Sequence, residues 1–195
     1  MGALGEERGP RKIGEYVVRC PVCGRETLRV EEYIYEVPML GKVIISTGKC
    51  TACGYRYSDA RLAEARGPSK IVYPVQKPED LNALVVVSSS ATVLVPELGL
   101  EARPGPAAQG YITTVEGVLD RFLEALEAAC RDPEADREAC EKNRRAIEEA
   151  KEGRRQFTLV IVDPEGVSAV ASEKARREPV SREELERLGY IVAPG

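Results

Sequence analysis

Four of the six cysteines in this chain fall into two copies of one pattern, Cys20-Pro21-Val22-Cys23-Gly24 and Cys50-Thr51-Ala52-Cys53-Gly54. Each copy sets two thiols two residues apart and follows the second with glycine. That is the grammar of a metal knuckle: a tight turn aims both sulfurs at one point, and the glycine relaxes the backbone where a positive φ is expected. The 26 residues between the pairs suit a β-hairpin that brings the knuckles together. Cys20, Cys23, Cys50 and Cys53 then complete a tetrahedral, closed and therefore structural zinc site. With no histidine in the chain, a mixed Cys/His site is excluded. Iron in the same cage and two redox-active Cys-x-x-Cys pairs are the alternatives, the latter lacking the βαβ surroundings usual for such motifs.

The remaining inventory is poor in catalytic chemistry. Without histidine there is no Ser-His-Asp or Cys-His nucleophile system, and a β-domain metal site built on histidines loses its usual ligands. No phosphate-binding Gly-x-x-x-x-Gly-Lys motif and no strand-linked Gly-x-Gly-x-x-Gly is present. Glu97 and Glu101 are read as solvated loop carboxylates and not as an acid/base pair. The expectation is a protein that is not an enzyme.

Composition sets the frame. The chain has 195 residues, 43% hydrophobic but only 5% aromatic, so its core must be built from Val, Leu, Ile and Ala. A net charge of -4 leans against a general nucleic-acid binder. No apolar run approaches the roughly 20 residues of a membrane span, and residues 1–12 lack a secretory pattern, so a cytoplasmic location is expected. Amides are scarce (Asn82, Asn143, Gln76, Gln109, Gln156) while charged residues reach 31%, a thermophile-like balance. That bears on Cys130 and Cys140, which flank the turn Arg131-Asp132-Pro133-Glu134-Ala135 between two expected helices. A disulfide across the mouth of the hairpin suits a hyperthermophile cytosol. The alternative is two free thiols in the helix seam.

The elements that must position these groups follow from periodicity and punctuation. Residues 13–19 lead into the first knuckle in extended form. Residues 27–37 read as a strand ended by Pro38, and residues 42–47 return as a second strand that delivers the second knuckle. Residues 56–66 are polar and charged, and Gly67-Pro68 marks a boundary between domains 1–66 and 67–195. Residues 69–75, 84–90 and 91–95 read as short strands of an antiparallel sandwich or barrel. Thr113 as cap and Glu116 three residues on suggest a capping box, followed by the apolar stripe Val115, Val118, Leu119, Phe122, Leu123 and Leu126. A second helix spans 133–153, with a slim apolar face of Ala139, Cys140, Ala146, Ile147 and Ala150, so the hairpin at about 114–153 leans out from the body. Residues 157–162 are the clearest strand. Residues 167–171 are expected to pair back onto it, and Ser181 to cap a short last helix.

Lysines and arginines gather in the ribbon half (Arg11, Lys12, Arg19, Arg25, Lys42, Lys49, Arg56, Arg61), interleaved with glutamates. The mixed signs favour a solvated surface, with phosphate contact as the alternative.

Beyond the zinc pairs, several linked motifs resemble the ZPR-one zinc-finger family. They are Val43-Ile44-Ile45-Ser46-Thr47 before the second knuckle, Glu79-Asp80-Leu81-Asn82, the run from Val95 to Glu101, and Tyr111-Ile112-Thr113-Thr114-Val115-Glu116-Gly117. The resemblance covers about residues 16–126 and looks like the archaeal, single-module form. It implies a zinc ribbon followed by a double-stranded β-helix-like domain with an inserted helical hairpin, an α+β, mainly β fold. It also implies a protein-interaction role, as a binding partner or folding helper of translation elongation factor 1-alpha. A nucleic-acid-binding ribbon acting in transcription or on the ribosome is the second reading. The candidate working surface is Pro96, Glu97, Leu98, Gly99, Thr113, Thr114, Glu116 and Gly117. Gly117 is the least expected of these, because glycine in a first helical turn costs up to ~1 kcal/mol against alanine.

Overall fold

The computed structural model describes residues 9–191. Residues 1–8, part of the charged N-terminal stretch, and residues 192–195 lie outside the described residues, as do the outer ends of both expected domains.

The N-terminal third is a four-stranded antiparallel meander in the order β1 (Arg11–Arg19), β2 (Glu26–Val37), β3 (Gly41–Cys50) and β4 (Arg56–Leu62). The expected hairpin is its centre, β2 paired to β3 from Leu28↔Cys50 to Val37↔Gly41. Strand β4 was not expected. Its polar residues Tyr57, Asp59 and Arg61 alternate with Ala60 and Leu62, and Ala60 and Leu62 are buried. Asp59 is buried too, and its carboxylate accepts the Gly110 N–H at 2.6 Å.

The remaining strands form two sheets. One has the order β12 (Arg176–Pro179), β5 (Ser69–Val75), β10 (Phe157–Asp163), β7 (Thr92–Val95) and β8 (Leu100–Ala102). The other has the order β11 (Ala169–Val170), β6 (Leu84–Val87) and β9 (Tyr111–Thr114). Strand β5 shows the cause: Ser69, Ile71, Tyr73 and Val75 are buried and the residues between them are not, the two-residue period of a half-buried strand. Ile71, Tyr73, Val93, Leu159 and Ile161 of the larger sheet share one core with Val85 and Val87 of the smaller. Helix α1 (Val115–Ala129) adds Val115, Val118, Leu119 and Phe122 to it, and α2 (Arg137–Lys151) adds Ile147 and Ala150. Leu40, Val43 and Leu62 of the meander pack against Val86 and Val167, forming a second core between the meander and the smaller sheet. Backbone bonds reinforce this junction, from Leu62 N to Val167 O (2.8 Å) and from Arg66 N to Gly166 O (3.2 Å).

Three local expectations are corrected. Residues 167–171 do not pair back onto β10; Ala169↔Val86 and Val170↔Val85 place β11 on the smaller sheet. Buried Asp163 is the reason. Its carboxylate accepts the N–H groups of Glu165 (2.9 Å), Val167 (2.9 Å) and Ser168 (2.7 Å) and so turns the chain away. Next, the cap of α1 is Thr114, not Thr113: its side chain accepts the Gly117 N–H, while Thr113 is still paired to Val85 in β9. Finally, α2 starts at Arg137, after an Asp136 cap, so residues 133–136 belong to the turn, and Ala139 is exposed. The last helix, α3 (Arg182–Arg187), is capped by Ser181, which accepts the Glu184 N–H. No helix among the described residues is long and apolar enough to cross a membrane.

Candidate metal centre

The two knuckles are built by the same hydrogen bonds. Cys20 N donates to Arg25 O (2.8 Å) and Gly24 N to Cys20 O (2.9 Å), while Cys50 N donates to Tyr55 O (2.8 Å) and Gly54 N to Cys50 O (3.1 Å). Both closing glycines are left-handed, at φ 70° and 77°. The first knuckle lies between β1 and β2 and the second between β3 and β4, so the β2–β3 pairing carries them to the same end of the meander.

The sulfurs of Cys20, Cys23, Cys50 and Cys53 all lie within 4.8 Å of one another. Cys20 Sγ to Cys53 Sγ and Cys23 Sγ to Cys50 Sγ are both 3.7 Å. A tetrahedron with metal–sulfur bonds of about 2.3 Å puts its corners about 3.8 Å apart, so the donor set fits zinc in size and chemistry. Thr27 on β2 places its hydroxyl 3.2 Å from Cys50 Sγ and binds the second knuckle through Thr51 N to Thr27 O at 3.0 Å. Leu28, Val30 and the half-buried Tyr55 pack beside Cys20 and Cys50.

Electrostatics explains why the cluster needs a cation. The Thr27 hydroxyl brings the Cys50 thiol down to about 6. The Tyr55 backbone favours a Cys53 thiolate, but burial and the three neighbouring sulfurs outweigh it and push Cys53 up to about 12. A divalent ion removes this conflict by stabilising all four thiolates together. Four cysteines then fill the tetrahedron, with no open position for water or substrate.

The other sequence-predicted residues are placed as follows. Cys130, at the end of α1, and Cys140, in the first turns of α2, are joined by a disulfide with Cα atoms 6.1 Å apart. Pro96, Glu97 and Leu98 form a single 3-10 turn between β7 and β8, ended by left-handed Gly99. Glu97 accepts the Thr158 N–H (3.0 Å) and hydroxyl (2.7 Å). Burial opposes its charge, but these two donors hold its carboxyl below the usual range. Glu101 pairs instead with Arg103. Thr113 and Thr114 lie in β9, Glu116 is exposed, and a Cβ on Gly117 would collide with the Thr113 hydroxyl. Close packing therefore accounts for that glycine. The two segments stand on different sheets, 96–99 beside the larger and 113–114 within the smaller.

The basic residues divide on inspection of the ladder. Lys12 pairs with Glu15 and Glu31, and Arg61 with Glu32. Arg29, absent from the sequence-based grouping, stands directly opposite Lys49, which stands opposite Arg56. Only strand register reveals that row.

Comparison with known proteins supplies the context. A family model of the ZPR1 jelly-roll domain matches residues 79–189. An uncharacterized ZPR1-like protein of Pyrococcus horikoshii is 40% identical over 97% of this chain and 89% of its own length. One from Methanocaldococcus jannaschii is 39% identical over 89% of this chain and 90% of its own. The zinc finger chaperone zpr1 of Schizosaccharomyces pombe is 29% identical over 83% of this chain, which spans only 37% of that longer protein.

Proposed function

From the premise that this chain belongs to the ZPR1 family, we propose that it is a non-enzymatic, cytoplasmic protein-binding module that partners or helps fold translation elongation factor 1-alpha. The observation that carries the reading is the pairing of a closed four-cysteine centre with a jelly roll whose relatives include a zinc finger chaperone. In this reading the metal is a staple, not a reagent. It fixes the two knuckles, and the meander they terminate presents a rigid surface joined to the jelly roll through Val43, Leu62, Val86 and Val167. The domains, 1–66 and 67–195, act as one unit through that junction. Within Pro96 to Gly99 and Thr113 to Gly117, the exposed Pro96, Glu97, Gly99 and Glu116 are proposed to meet the partner, with Leu98, Thr113, Thr114 and Gly117 shaping the segments behind them.

The experiment is capture of partners from the cognate lysate on immobilised zinc-loaded protein, with a metal-stripped sample in parallel. Enrichment of the elongation factor by the zinc form alone supports the reading. A zinc-loaded protein that never enriches it refutes the identity of the client.

A further inference from the structure

The zinc end of the meander has one unpaired edge and two unlike faces, and all three suit one kind of ligand. Strand β1 is outermost, and among the described residues no backbone hydrogen bond reaches its outer side. Register shifts fall at Lys12/Gly14 and Val18/Arg19, leaving Glu15 to Val18 as a straight stretch between two irregularities. Tyr16 (43%), Val17 (54%) and Val18 (37%) in that stretch are all exposed. Folded proteins ordinarily blunt such an edge with charge or bulges, and here the apolar middle is left open.

On one face, Tyr16, Val30, Gly48 and Tyr57 form a row across all four strands. Leu28 and Val30 close over Gly48, where a Cβ would press on Leu28 Cδ1 and Val30 Cγ2, both at 3.2 Å. Tyr16, Val30 and Tyr57 of this row line a groove of about 440 Å³, walled by Val18, Tyr55 and, from the β8–β9 loop, Pro106. On the opposite face, the next row is Val17, Arg29, Lys49 and Arg56. Like charges directly opposite in a ladder destabilise a sheet. Yet none of these three cations has an ion-pair partner among the described residues, and all three are exposed. Arg19 and Arg25 extend the positive charge toward the knuckles, where Arg19 stands opposite Glu26, while Glu15 and Glu31 farther along the same face are both engaged by Lys12.

We infer that the β1 edge takes an extended segment of a protein partner, alternating apolar and acidic residues, as an added fifth strand. Alternate side chains of such a strand point to opposite faces. One set enters the tyrosine groove; the other lies beside Val17, about 10 Å from Arg29 at ~4.8 Å per strand, a gap that a glutamate and an arginine bridge between them. The unpaired N–H and C=O groups of the β1 edge form a ladder only with another polypeptide backbone, which is why the segment is a polypeptide and not RNA. The inference deepens the protein-binding reading above and rests on it.

The test uses the zinc-loaded 195-residue chain and a fluorescein-labelled nine-residue peptide with valine or tyrosine at alternate positions and glutamate between them, read by anisotropy. Companions carry lysine for glutamate, or N-methyl groups at alternate amides. The expected result is preference for the glutamate peptide by about tenfold, lost on N-methylation. Val18→Glu weakens it by about tenfold, and Arg29→Glu, at the cation nearest the added strand, brings the two charge forms near parity, both variants retaining one zinc per chain. No binding, indifference to peptide charge, insensitivity to Val18→Glu, or displacement by a short RNA in preference to the acidic peptide overturns the inference. The elongation factor separates the two claims. If it binds wild type and Val18→Glu equally, the docking edge falls and the client reading stands. If it binds neither while the peptide behaves as expected, the edge stands and the client identity falls.

Discussion

Replacing Cys130 and Cys140 together by alanine removes the one covalent tie at the tip of the helical hairpin. Alanine is the right probe because Cys130 is buried and a serine hydroxyl there would add its own penalty. The bond closes a loop with a sequence separation of 10, for which chain entropy gives about 2.7 kcal/mol. The native hairpin has little to offset that loss. In α2 only Ile147 and Ala150 are buried, both in its second half, while the first turns hold the tip through the bond and through Arg137, which donates to Cys130 O at 3.0 Å. Urea unfolding of zinc-loaded protein should therefore lose about 2.7 kcal/mol, a fall in Tm of roughly 5–11 °C for a chain of this size. Hydrogen exchange should quicken at residues 131–145 and stay slow at β5 and β10. Reducing agent should reproduce the effect in wild type and do nothing to the variant. A loss under about 0.5 kcal/mol with unchanged exchange would show that the hairpin is ordered without the bond, and the entropy argument would fail.

Further outcomes follow from other sites. Cys50→Ser should abolish stoichiometric zinc by atomic absorption and melt the knuckle end of the meander while the jelly-roll core persists; retained zinc refutes the four-thiolate centre. Asp163→Ala leaves the N–H groups of Val167 and Ser168 and the Ser168 hydroxyl without their acceptor in the interior, and should cost about 3 kcal/mol or more by chemical unfolding. Burial opposes the charge of Asp80, but Lys174 at 2.6 Å and the Gln76 and Lys77 N–H groups hold its carboxyl below the ordinary value. A lowered carboxyl contributes stability above the ordinary carboxylate range and loses it as pH falls through its folded value. Lys174→Met should thus reduce stability at neutral pH and flatten its acid dependence, checked by unfolding at pH 3 to 7; an unchanged pH profile refutes the pairing.

How much of this was legible in the sequence depended on how local each cause was. The knuckles, the α1 stripe, β10 and the Ser181 cap were readable because spacing within a few residues determines them. Strand β4 was not, because its polar residues read as a loop until Asp59 meets Gly110 from a distant loop. The choice between Thr113 and Thr114 as cap was likewise undecidable locally. Pairing of β9 with β6 sets it, through Thr113↔Val85 and the bond from Val115 N to Ala83 O at 3.0 Å. The return of residues 167–171 to the other sheet hangs on one buried carboxylate, Asp163. In the candidate site, the four ligands were evident in the chain, whereas Thr27, the Arg29–Lys49–Arg56 row and the tyrosine groove exist only once strand register is known.

The most direct test of the account is calorimetry of the zinc-loaded protein with translation elongation factor 1-alpha from the same source, at low and high salt and with GDP or GTP present. The account predicts binding in the micromolar range or tighter that survives salt, changes with the nucleotide and disappears when zinc is removed. No heat of binding from the intact, zinc-loaded chain would contradict it.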